Sequence, residues 1–151
     1  MEDRTDWLRL TLVEGVGPAS QRALLKALGP PGQVLAASRA TLAGIVGADA
    51  ADRLRTGPDP AALDAALAWL DEPGNRILTL ADPEYPPALL EIPDPPTLLY
   101  VKGDVALLSR PSLAVVGARS ATPQGLDNAR AFARVLAESG LTIVSGLALG
   151  I

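Results

Sequence analysis

The sequence predicts an α/β chain in which an all-helical segment precedes the start of a parallel β-sheet. Up to Leu70, apolar side chains recur at helical spacing between proline and glycine breaks. Nearer the C-terminus, two short and partly β-branched runs each stop at a glycine, Gly117 and Gly146, with a helical pattern between them. Strand, glycine turn, helix and strand make the βαβ unit of a parallel sheet.

The composition limits the catalytic and metal-binding chemistry that the chain can perform. The 151 residues contain no cysteine and no histidine, which excludes disulfides and thiolate metal sites and removes the commonest general base. We therefore expect neither a cofactor nor a metal. No apolar run is long enough to span a bilayer, and the acidic N-terminus lacks the apolar core of a secretory signal. A cytoplasmic protein without membrane contact is expected.

Charge is unevenly placed along the chain. The net charge is −4. Residues 1–101 carry eight Lys and Arg against fourteen Asp and Glu, whereas residues 102–151 carry five against three. A binding site for a polyanion is therefore expected in the C-terminal third.

The helical segment is divided by proline and glycine. Thr5 or Asp6 is predicted to cap a first helix, and Pro18 suits the first position of a second. Asp59 is predicted to cap a helix that runs to Leu70, because the apolar residues between them follow the i, i+3, i+4, i+7 pattern. Shorter helices are predicted around residues 34–37, 41–46 and 49–54.

The turn Gly15-Val16-Gly17-Pro18 is typical of a helix-hairpin-helix. There, backbone N–H groups at a helix N-terminus bind one DNA phosphate, so Gly15 and Gly17 are possible secondary DNA contacts. The alternative is a tight turn inside a helical bundle. Glu14 and the acidic surroundings favour this structural role, because phosphate binding prefers basic flanks.

The pattern changes at Pro73-Gly74, so we divide the chain into a helical domain, 1–72, and an incomplete α/β domain, 73–151. Strands are predicted at 77–80 and 97–101, joined by a proline-rich connection expected to be rigid and extended. Three or four strands with one crossover helix would leave an apolar face uncovered, so we expect a truncated domain.

The two glycine turns are the predicted anion site. Both follow strands of the βαβ unit, and ligands of open α/β sheets bind at that edge. Glycine allows close backbone approach, and Arg119 offers a guanidinium that can fork onto phosphate oxygens. The alternative for Arg119 is a surface ion pair with Asp127 or Glu138. Thr122 either caps the next helix, which we favour, or donates to the anion.

The second turn, residues 145–150, adds the hydroxyl of Ser145 to the site. Neither turn has the G-x-G-x-x-G pattern of dinucleotide folds, so NAD or FAD is not expected. The tryptophans and tyrosines are predicted to pack in the core or at a domain junction instead of stacking on bases; they are Trp7, Trp69, Tyr85 and Tyr100.

Three blocks in register resemble the bacterial DNA-processing family called DprA or Smf. They are residues 85–103, the turn 116–119 with Thr122 and Gly125, and residues 145–151. The resemblance implies a sterile-alpha-motif-type helical domain followed by a Rossmann-like domain. It also implies single-stranded DNA binding, protection of incoming DNA and loading of the RecA recombinase during natural transformation, by a protein that is homodimeric when full length.

The same resemblance implies the site residues. Gly117 and Arg119 would hold DNA phosphates, and Ser145, Gly146 and Leu147 would form the neighbouring wall. The leading hypothesis is a non-enzymatic DNA-binding protein. One alternative is a nucleotide-cleaving enzyme of the phosphoribohydrolase type on a Rossmann-like scaffold, which would need a carboxylate near the phosphate. Another is a helical module that only recruits protein partners.

Overall fold

The computed structural model describes residues 4–150, and it is an α/β structure as predicted. The helices in that range are α1 (Arg4–Thr11), α2 (Pro18–Leu28), α3 (Pro31–Ala36), α4 (Arg39–Val46), α5 (Ala48–Thr56), α6 (Pro60–Leu70), α7 (Pro87–Leu90) and α8 (Pro123–Glu138). The strands are β1 (Asn75–Thr79), β2 (Leu98–Lys102), β3 (Ser112–Ala114) and β4 (Thr142–Val144), with a 3₁₀ turn at Val105–Ser109.

The chain divides into two compact units, one ending at Val105 and one beginning at Ala106. The domain boundary predicted after residue 72 falls inside the first unit, between α6 and β1. Packing within a chain does not report which part folds independently, so the division into 1–72 and 73–151 stays a prediction.

Local sequence sets most of the helix starts. Asp59 and Thr122 both cap as predicted: their side chains accept hydrogen bonds from the N–H of Ala61 and of Gly125, each at 3.1 Å. Thr5 and Asp6 are not caps, because the described part of α1 already begins at Arg4. Asp6 lies in the first turn of α1, where a carboxylate favours the helix dipole.

Two apolar clusters hold the first unit together. One joins the helices around the buried residues Leu10, Val13, Val16, Leu24, Val34, Leu42, Ala51 and Leu54. The other places Trp7 and Leu8 against Ile77 of β1. Helix α1 therefore contributes to both clusters, and the hairpin formed by β1 and β2 packs on the helices.

The four strands do not join one sheet in the described range, which corrects the expected three- or four-stranded parallel sheet. Strands β1 and β2 pair antiparallel, with Ile77 opposite Tyr100. Strands β3 and β4 pair parallel, with Leu113 opposite Ile143. Helix α8 connects β3 to β4, so the predicted βαβ unit is confirmed.

The proline-rich connection is fastened to α2. Two contacts come from Arg22, which donates to the carbonyl of Pro95 at 2.5 Å and to the carboxylate of Asp94 at 2.7 Å. Tyr85 is buried, and its hydroxyl donates to the carbonyl of Pro96 at 2.6 Å. The connection was expected to be extended throughout. It departs from that expectation at Pro87, which starts the single-turn helix α7.

Candidate nucleic-acid interface

Both glycine turns leave the same edge of the parallel pair. We call residues 117–121 the first loop and residues 145–150 the second loop. Ala114 ends β3 and pairs with Val144, which ends β4. The N–H of Val115 still donates to the carbonyl of Val144 at 2.8 Å, so the strands stay together until the loops begin. Parallel strands end at one edge, and the two loops therefore share it.

The loops also touch through their backbones. The backbone of Gly150, at the end of the second loop, lies against the backbone of Ala118 and Arg119 in the first loop. This contact brings together the two segments that the sequence analysis assigned to one site.

Arg119 presents an uncompensated positive charge. Its side chain is exposed, and it forms no ion pair with any residue between 4 and 150. Asp127, a partner considered for it, pairs instead with Arg130 at 3.3 Å. Because a guanidinium without an internal partner keeps its donors available, Arg119 is suited to bind an external anion.

The second loop has its own internal bond. The N–H of Leu147 donates to the hydroxyl oxygen of Ser145 at 3.2 Å, and Leu147 has a left-handed backbone with φ of 51°. A non-glycine residue in that region costs about 1–2 kcal/mol. The Ser145 hydroxyl still has its proton to donate, whereas the N–H of Leu147 is already engaged.

Gly146 faces open space. A Cβ placed on it would meet no protein atom within 4 Å, and its φ lies outside the left-handed region. Neither packing nor backbone strain within the described structure therefore requires glycine there. The absence of a side chain leaves this part of the loop open to a close ligand.

The turn at Gly15 and Gly17 lies in the first unit. A Cβ on Gly15 would lie 3.1 Å from Cδ and Nε of Arg53, so this side chain already covers the turn. The recess beside it, about 320 Å³ in volume, is lined by acidic as well as basic side chains: Glu14, Asp52, Arg53 and Asp59. These contacts favour the structural role of the turn, and DNA contact at Gly15 and Gly17 stays a prediction.

The tryptophans and tyrosines lie in the first unit. Trp7 and Tyr85 are buried. Trp69 and Tyr100 meet edge to face with their ring centroids 5.3 Å apart. Burial raises the pKa of both tyrosines above the ordinary value. The burial of Trp7 and Tyr85 is as predicted, whereas Tyr100 keeps 46% of its surface exposed although its ring contacts Trp69.

Across residues 4–150, no cluster of three acidic side chains is arranged to hold a metal ion. No helix in the same range is long and apolar enough to cross a membrane. The apolar side chains left exposed in the second unit include Phe132 and Val135 on α8 and Val144 on β4.

Gly150 lies inside the second turn of the predicted anion site, without a role of its own assigned from the sequence. The residue was visible as the last glycine of the second loop, but spacing alone does not show which backbone it meets. Only the paired strands and the path of both loops reveal that contact.

Residues 76–151 match the family model described as DNA recombination-mediator protein A. Protein Smf from Escherichia coli is 39% identical over 89 residues, which cover 59% of this chain and 24% of that protein. DNA processing protein DprA from Bacillus subtilis is 37% identical over 90 residues, which cover 59% of this chain and 30% of that protein. The matched part is thus a quarter to a third of these relatives.

A solved structure agrees with the sequence comparisons. The X-ray structure of DNA processing protein A (DprA) from Streptococcus pneumoniae superposes with a TM-score of 0.72 at 29% identity. The superposition covers all of this chain and 52% of the Streptococcus pneumoniae chain. The family model alone spans half of the chain, including both loops. The chain belongs to the DNA recombination-mediator protein A family.

Proposed function

We propose that the two loops of this protein bind the phosphates of single-stranded DNA and that the protein does not cleave the DNA. The observation that carries the proposal is the guanidinium of Arg119, which is exposed and has no ion-pair partner among residues 4–150, on a loop that touches the second loop. Family membership supports a DNA ligand, because the family is described as a DNA recombination mediator. Gly117, Ser145, Gly146 and Leu147 complete the proposed site.

The donors in this site suit a phosphate better than a base. A guanidinium binds two phosphate oxygens in a fork, and a serine hydroxyl adds one donor. The open space at Gly146 allows a sugar-phosphate backbone to lie close to the loop. Contacts of this kind hold a strand without reading its sequence. We therefore expect little base preference.

We also propose that the bound strand is protected and passed to RecA during natural transformation, and that the full-length protein is a homodimer. Relatives named DNA processing protein DprA support this wider role. The check is RecA filament assembly on single-stranded DNA with and without the protein. Unchanged assembly would contradict the RecA step without touching DNA binding.

The phosphate site is tested by removing the positive charge of Arg119. Arg119→Ala should weaken binding of a fluorescent single-stranded oligonucleotide by roughly 10- to 100-fold, since a hydrogen bond to a charged group contributes about 1.5–3 kcal/mol. Arg134→Ala is the matched control, because it removes the same exposed charge from α8, away from the loops. Equal affinities for the two variants would refute the site.

The non-enzymatic part of the proposal has a separate test. A phosphoribohydrolase releases a free base from nucleoside monophosphates. We expect no base release when the protein is incubated with the common nucleoside monophosphates, as followed by chromatography. Base release that Arg119→Ala abolishes would instead assign the loops to a nucleotide-cleaving site.

A further inference from the structure

The close approach of Gly150 to the first loop leaves no room for a side chain. A Cβ on Gly150 would clash first with the carbonyl oxygen of Ala118, and it would lie 2.7 Å from the carbonyl oxygen of Arg119 and 2.8 Å from its Cα. These neighbours are backbone atoms, which cannot turn aside as the end of a flexible side chain can. Gly150 also has φ of 99°, a conformation that residues with a Cβ rarely adopt.

The backbone of Gly150 lies close to the Cα of Arg119, the atom from which that side chain extends. The position of a Cα, together with its backbone direction, fixes where a side chain starts. A shift of the Arg119 backbone therefore moves the guanidinium relative to the second loop. Sites that hold a ligand by oriented donors lose much of their affinity when one donor is displaced by about 1 Å.

A hydrogen bond within the second loop stabilises its conformation. The bond between the N–H of Leu147 and the Ser145 hydroxyl closes a short turn. The left-handed φ of Leu147 further defines the path of the chain towards Gly150. We expect the loop to move as a block, so a change at Gly150 alters its distance from Arg119.

We propose that Gly150 is a positioning residue of the DNA site, which joins the two loops into one phosphate cradle by permitting backbone contact at Arg119. The inference rests on the proposed DNA-binding function and deepens it. Gly150 needs no contact with DNA itself. Its contribution is to hold the guanidinium of Arg119 and the hydroxyl of Ser145 at a fixed separation before DNA arrives.

The test compares two glycines with left-handed backbones. Gly140, which follows α8, has φ of 92°, but a Cβ there would meet no atom within 4 Å. Gly140→Ala therefore imposes the backbone strain without a clash between the loops. Gly150→Ala should weaken oligonucleotide binding roughly tenfold or more, the loss expected for one charge-assisted contact. Gly140→Ala should leave binding unchanged.

A double-mutant cycle separates positioning from general damage. If Gly150 acts through Arg119, the variant Arg119→Ala/Gly150→Ala should bind no more weakly than Arg119→Ala. The dependence of binding on salt should also fall in Gly150→Ala to that of Arg119→Ala, because the same phosphate contact is lost. Losses that simply add would overturn the inference.

A second variant covers the case in which Gly150→Ala does not fold. One glycine inserted between Ala148 and Leu149 adds no side chain but shifts Gly150 away from Arg119. It should weaken binding in the same way, and wild-type affinity would contradict the positioning role. If Arg119→Ala itself binds DNA normally, the proposed function fails. If only the Gly150 variants bind normally, the inference fails alone.

Discussion

The hydroxyl of Thr97 donates a hydrogen bond to the side-chain oxygen of Gln21, 76 positions earlier in the chain, and both side chains are buried. The amide nitrogen of Gln21 also donates to the carbonyl of Val16 at 2.7 Å. One side chain on α2 therefore holds the turn before that helix and the segment that leads into β2. Within the first unit, this link therefore connects the helices to the β1–β2 hairpin.

Breaking this link should lower the free energy of unfolding. Gln21→Leu removes these two bonds and a longer one of 3.5 Å to the carbonyl of Thr11. It leaves the carbonyl of Val16 and the hydroxyl of Thr97 without their partner, at a cost of about 1–3 kcal/mol. Thr97→Val, which keeps the shape, should cost less. The two losses should not add in the double variant, because they share one bond. Urea unfolding measures all three, and simple additivity would show that the residues are not coupled.

Acid should remove the contribution of an exposed ion pair in the first unit. Arg39 binds Asp52 through two hydrogen bonds, at 2.5 and 2.7 Å. Hydrogen bonding from Arg39 lowers the pKa of Asp52 below its ordinary value. The folded state thus favours the carboxylate. Its contribution to stability is present above the ordinary value, about 3.9, and is lost as the pH falls through the lower pKa of the folded state.

The corresponding measurement compares wild type with Asp52→Asn in urea at neutral pH and at a pH well below the Asp52 pKa. The variant should be slightly less stable at neutral pH, because exposed pairs contribute little. The difference should vanish in acid. A difference that is the same at both pH values would assign it to something other than the charge of Asp52.

Alanine substitutions at Gly17 and Gly146, where a Cβ fits without a clash, test which of the two turns contacts DNA. Neither Gly17 nor Gly146 has a protein atom within 4 Å of the position of a Cβ, and neither has a left-handed φ. Gly146→Ala should weaken oligonucleotide binding several-fold at unchanged melting temperature, because its methyl group occupies space meant for DNA. Gly17→Ala should lose only a few tenths to about 1 kcal/mol of stability, as a poorer N-cap, and bind normally. The reverse pattern would move the interface to the helical turn.

Sequence reasoning predicted the features that neighbouring residues determine. The caps at Asp59 and Thr122 depend on residues two or three positions away. Strand β4 stops where its β-branched run stops, at Val144, whereas β3 ends at Ala114, before Val115 and Val116. The family resemblance was correct because three separate blocks matched in the right order. Each of these signals lies within a short window of the sequence.

Contacts between distant residues were not predictable in the same way. Nothing near Arg22 indicates that it binds Asp94, and nothing near Gly150 indicates that it meets Arg119. The expectation of one parallel sheet failed for a related reason. Strands β1 and β2 have suitable composition for it, but they pair with each other antiparallel, and Ile77 of β1 packs against Trp7 and Leu8 of α1.

The salt dependence of DNA binding tests the phosphate site most directly. Neutralising phosphates releases counterions, so the logarithm of the binding constant falls linearly with the logarithm of salt concentration, with a slope of about −0.7 per phosphate contact for single strands. Arg119→Ala should bind more weakly than wild type at low salt and with a slope shallower by about 0.7. Two parallel lines, or identical ones, would show that Arg119 does not bind a DNA phosphate.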